Sequence, residues 1–122
     1  MRFGWLFVLP LLIIGCGPSE ADKAKMQEAK AFLLKVVEAE KVYHKTNETY
    51  SLNIKELYHY DPSLEQPPAG YKLKGGGGVA LAFGFQVWLL PLESGMSFYV
   101  NDSGVVRYST WGEADGDSKP VD

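Results

Sequence analysis

The chain of 122 residues contains a single cysteine and two histidines. One thiol excludes an internal disulfide and any zinc site built from several thiolates, and two imidazoles leave little material for a proton relay. No charge of one sign dominates. Twelve Lys and Arg face 15 Asp and Glu for a net of -3, and the lysines are scattered rather than striped. The basic footprint of a nucleic-acid binder is therefore missing. A long apolar run is missing too: residues 3–15 would span about 20 Å as a helix, against a hydrocarbon core of about 30 Å. What is present is 46% apolar and 22% charged residues, a composition that folds, in a length that suits one small domain.

The first residues read as an export signal. Arg2 supplies a positive start, the stretch from Trp5 through Ile14 is greasy, and Gly15 is a small-residue exit. Ile13-Ile14-Gly15-Cys16 resembles the lipobox of bacterial lipoprotein signal peptides. That resemblance implies cleavage between Gly15 and Cys16, and a Cys16 carrying a thioether-linked diacylglycerol and an amide-linked acyl chain. Two or more chains make a durable anchor where one binds reversibly. The alternative is a free cysteine closing an ordinary secretory signal. No Asp follows Cys16, which by the same resemblance points to the periplasmic face of an outer membrane in a cell that has one. The expected organisation is a signal at 1–15, a lipidated tether at 16–22, a folded domain at 23–111 and an acidic tail at 112–122.

Residues 21–45 contain no Gly or Pro and are rich in Ala, Glu, Lys and Leu, all good helix formers. Ser19 or Asp22 is placed to cap this helix, and Asn47 to take the left-handed turn that ends it. Ala29, Phe32, Leu33, Val36, Val37, Glu40 and Tyr43 recur at helical spacing and outline one face. That face suits a sheet of the same chain or a partner helix. Residues 51–57 read as a short helical turn with Leu52, Ile54 and Leu57 inward.

From Tyr71 the period changes to two. Val79, Leu81, Phe83, Phe85, Val87 and Leu89 share one bulky face, and Gln86, Trp88 and Leu90 share the other. Strands at 96–100 and 104–109 follow, joined by Asn101-Asp102-Ser103-Gly104, where Gly104 can supply a positive φ. The expected class is α+β, with one long N-terminal amphipathic helix packed on a sheet of three to four antiparallel strands.

The residues Ala39-Glu40-Lys41-Val42-Tyr43, Asn47-Glu48-Thr49-Tyr50 and Leu57, with Gly70-Tyr71 and the two stretches 84–91 and 97–107, resemble the globular domains of type IV pilins and type II secretion pseudopilins. The resemblance spans roughly residues 28–111 and implies a pilin-like fold working with other envelope, secretion or pilus proteins. The chain departs from the family at its start. The prepilin Gly-Phe cleavage site and the long apolar helix with its early glutamate are absent, so the spine that stacks subunits into a fibre is lacking and a lipid stands in its place.

Candidate chemistry is sparse. Gly75-Gly76-Gly77-Gly78 has no following Lys-Ser or Lys-Thr and no helix to receive phosphate, so it reads as a hairpin loop. His59 and Asp61 flank Tyr60, an arrangement a small hydrolase would need to complete with a nucleophile and an oxyanion hole. Glu113, Asp115 and Asp117 offer oxygen ligands of the kind calcium prefers, without EF-hand spacing, against the reading of a disordered acidic tail. Asn47-Glu48-Thr49 and Asn101-Asp102-Ser103 match the glycosylation pattern and read as turns. Trp88 and Tyr99, on the outer strand face, are candidate partner-binding residues or else edge packing. The leading expectation is a lipid-anchored, non-enzymatic interaction or assembly module of the cell envelope. It would need no metal or cofactor beyond the lipid on Cys16, and would face a membrane and an envelope protein rather than nucleic acid. The alternatives are a small hydrolase using His59 and Asp61, and a filament subunit.

Overall fold

A computed structural model describes residues 19–76 and 84–122. The signal segment, Gly15 and Cys16 lie outside the described residues, as do Val79, Leu81 and Phe83 of the expected strand and two of the four consecutive glycines. Helix α1 covers Glu20–Asn47 and opens on a capping box: the Asp22 amide donates to the Ser19 hydroxyl at 3.1 Å while the Ser19 amide donates to the Asp22 carboxylate at 3.4 Å. The tether expected to reach residue 22 therefore gives way to helix at Glu20. At the other end Glu48, not Asn47, adopts the left-handed conformation (φ 63°), and the Asn47 amide donates to the Tyr43 carbonyl instead. A side-chain amide that bonds back one turn holds Asn47 in the helix and moves the break on by one residue.

Two 3-10 turns, Ile54–His59 and Pro62–Glu65, lead to the sheet. Ile54 and Leu57 point inward, as their spacing predicts, but Leu52 is 70% exposed. The Glu56 carboxylate draws the backbone here into an Asn53 capping box, accepting from the amides of Leu52 and Asn53, and this turns the Leu52 side chain out.

The sheet has five antiparallel strands in chain order: β1 (Tyr71–Gly76), β2 (Gln86–Pro91), β3 (Ser97–Asn101), β4 (Arg107–Ser109) and β5 (Lys119–Pro120). The expectation of three to four strands misses β5, which at two residues is too short to show a period. It is held by register, Arg107 opposite Pro120 and Tyr108 opposite Lys119, and by the Val121 amide on the Val106 carbonyl at 2.7 Å. Residues 112–122 are accordingly not a disordered tail, since Ala114 and Val121 are both buried. Gly75 and Gly76 are likewise strand residues, not loop. A Cβ on Gly75 would stand 2.9 Å from the Gln86 carbonyl oxygen, so the close approach of β2 admits no side chain there.

Val87, Leu89, Phe98 and Val100 form the sheet face under α1 and meet Ala29, Phe32, Leu33, Val36 and Val37 in a single core, closed at one end by Leu57 and Leu64. The protein is thus α+β, a long helix on an antiparallel sheet. The buried interior also holds a carboxylate. Glu40 is completely buried, and its carboxylate accepts from the Ser51 amide at 2.9 Å and the Ser51 hydroxyl at 2.8 Å. Burial pushes the Glu40 carboxyl above the ordinary carboxylate value, partly opposed by the two Ser51 hydrogen bonds. One turn on, the Tyr43 hydroxyl donates to Glu56 at 3.0 Å, which holds the phenol above its usual value. The amide of Asn53, followed by this phenol and the Leu52 amide, holds the Glu56 carboxyl low. Two carboxylates therefore pin the segment after α1 back onto the helix.

A candidate binding cleft on the outer sheet face

Strand alternation sends Trp88 and Leu90 of β2, and Ser97 and Tyr99 of β3, to the face away from α1. Trp88 stands directly opposite Tyr99, with ring centroids 5.4 Å apart and planes tilted by 57°, and the Lys74 ammonium sits 5.5 Å from the Trp88 ring. These are the two aromatics singled out from the sequence, and the structure brings them together. It also covers them. Tyr99 is only 4% exposed and its hydroxyl donates to Gln86 at 3.0 Å.

The cover is the segment after β4. The Ser97 hydroxyl donates to the Gly112 carbonyl and accepts from the Ala114 amide, both at 2.7 Å, and the Trp88 indole donates to the Ala114 carbonyl at 3.0 Å. Ala114 is consequently buried on this face. Tyr99 is packing rather than free surface, and Trp88 is half-buried beneath the returning chain.

The aromatic that remains outside is Trp111, 90% exposed. Its backbone is clamped on both sides. The Ser109 hydroxyl donates to the Trp111 carbonyl at 2.7 Å and accepts from the Trp111 amide at 3.1 Å. The next residue, Gly112, has φ +73°, a conformation that favours glycine, and its carbonyl is held by Ser97. Trp111 rims a cleft of about 740 Å³ whose floor is Leu90 and Pro91 and whose walls include Lys72, Glu93 and Glu113. That volume falls in the range of small-ligand sites. Sequence reasoning passes over Trp111 because it lies beyond the last readable strand. The Trp-Gly pair just after Ser109 is the signal that could have found it, an aromatic raised on a glycine corner.

The other candidates lie apart. His59 is exposed and meets the Tyr60 ring edge-on at 5.5 Å, while the Asp61 carboxylate caps the second 3-10 turn, accepting from the Ser63 amide at 3.1 Å and the Ser63 hydroxyl at 2.6 Å. Of the three candidate calcium ligands, Glu113 lines the cleft and Asp115 closes a turn, its Oδ1 accepting from the Asp117 amide at 2.8 Å. Among the described residues no group of three or more His, Cys, Asp and Glu side chains comes together. No helix among them is long and apolar enough to cross a membrane. No protein-family model matches the chain, and no curated protein matches it.

Proposed function

We propose that this protein is a lipid-anchored, non-catalytic binding module of the bacterial cell envelope, with a pilin-like domain held at an extracytoplasmic surface by acyl chains on Cys16. The lipobox-like Ile13-Ile14-Gly15-Cys16 supports the anchor. The order of one long helix followed by an antiparallel sheet supports the pilin-like reading. The reading that it binds another envelope component is carried by one observation: a fully presented, backbone-clamped Trp111 at the rim of a cleft.

Two measurements test this. Growth of expressing cells with a radioactive fatty acid should label the protein, and Cys16→Ser should abolish the label; an unlabelled protein overturns the anchor. A photo-crosslinking amino acid at position 111 should capture one specific envelope component in intact cells. Adducts no more specific than those from a crosslinker at exposed Leu52 overturn the binding role.

A further inference from the structure

We propose that the Trp111 cleft binds a neutral oligosaccharide, one pyranose ring stacking on the indole while its hydroxyls bond to Glu93, Glu113 and Lys72. The proposal rests on the cleft being the binding surface and adds the chemistry of what enters it.

Three features select this ligand class. The first is the presented indole. The electron-rich face of Trp attracts groups with a positive edge, and the C–H face of a pyranose is such a group: apolar and slightly positive. Because Ser109 and Ser97 fix the backbone on both sides of Trp111, little backbone freedom is lost on binding.

The second is the mixture of signs. Two carboxylates and one ammonium line the same cleft. A strongly anionic ligand would meet Glu93 and Glu113, and a strongly cationic one would meet Lys72. Sugar hydroxyls both donate and accept, so a neutral glycan satisfies acidic and basic walls together.

The third is the floor. Leu90 and Pro91 of β2 lie opposite Lys72 and Tyr71 of β1, beyond the end of the β2–β3 ladder at Leu89 and Phe98. They bring apolar side-chain surface to a cleft otherwise lined mainly by the β2–β3 connection and the segment after β4. An apolar floor with polar walls fits a ring seated flat.

The test is isothermal calorimetry on the full chain in a detergent that contains no sugar, with chitotetraose, cellotetraose and maltotetraose as the probes. At least one should bind saturably with a Kd of about 1 mM or tighter. Trp111→Ala should weaken that binding at least tenfold, Glu113→Gln should weaken it severalfold, and Trp111→Tyr should retain part of it. The melting temperature should stay unchanged in all three variants, because Trp111 and Glu113 are exposed. Saturable binding by none of the three probes overturns the proposal, as does binding that survives Trp111→Ala. If the position-111 crosslinker captures a protein, or a second copy of this chain, and no probe binds, the glycan proposal fails while the binding role stands. If neither a probe nor a specific adduct appears, both fail.

Discussion

Glu40 and Ser51, eleven residues apart in the chain, form a closed pair inside the core: the serine amide and hydroxyl each donate to a separate oxygen of the glutamate, at 2.9 Å and 2.8 Å. A residue four positions past the end of α1 is thereby fixed to the helix two turns before its end. Ser51→Ala removes one donor and leaves a buried carboxylate oxygen without a partner, an error that costs about 1–3 kcal/mol. Urea denaturation should show that loss with an unchanged m-value.

The two carboxylates at this junction predict opposite pH dependences. Glu40 has a raised pKa, so the folded chain holds its proton more tightly than the unfolded one. Stability from this group is then fully present below the ordinary carboxylate value of 4.5 and falls as pH climbs through the raised folded value. Glu56 is lowered, so its contribution is present above 4.5 and is lost as pH falls through the folded value. Stability measured against pH should lose its fall above pH 4.5 in Glu40→Gln and part of its acid-side fall in Glu56→Gln. A Glu40→Gln profile parallel to the parent would contradict the assignment.

The returning chain after β4 is structural. Ser97→Ala breaks both hydrogen bonds that hold Gly112 and Ala114, and should cost about 1–3 kcal/mol. It should also shift the Trp88 emission to longer wavelength, as the indole loses its cover. Thermal melting followed by fluorescence reads both effects, and a Trp111→Phe background removes the exposed indole from the signal.

Gly75→Ala tests the close strand approach. The new methyl would stand 2.9 Å from the backbone oxygen of Gln86 and 3.0 Å from a methyl of Val87, so β1 and β2 must part. Overpacking of this kind costs about 1–3 kcal/mol. The same change at Gly104, where no atom lies within 4 Å of the added carbon but φ is +79°, isolates backbone strain from crowding.

Leu33 and Leu52 make the contrast between face and exposure. Leu33 is fully buried against the sheet, and Leu33→Ala should cost about 2–5 kcal/mol through the cavity it leaves. Leu52 is exposed, and Leu52→Ser should change stability by no more than about 0.5 kcal/mol. Equal losses at the two sites in chemical denaturation would contradict the placement of Leu52.

Much of this architecture is legible in local pattern. Ala29, Phe32, Leu33, Val36, Val37 and Glu40 repeat at the helical period and are all buried; Phe85, Val87 and Leu89 alternate and face α1. Periodicity carries these assignments because one element buries one face, whatever covers it. Leu52 shows the limit, since its apolar character says inward while the hydrogen bonds of Glu56 decide the local backbone.

The sequence by itself determined the helix, its buried stripe, the alternating strands and the turn at Gly104, because each depends on neighbours within a few residues. Only the tertiary structure decided that Trp88 and Tyr99 are covered, that residues 112–122 complete the sheet, and that Trp111 stands at the rim of a cleft. The physical reason is that exposure depends on what returns across a surface. The Ser97 bridge to Gly112 and Ala114 joins residues 15 and 17 positions apart, through contacts that no short-range period encodes.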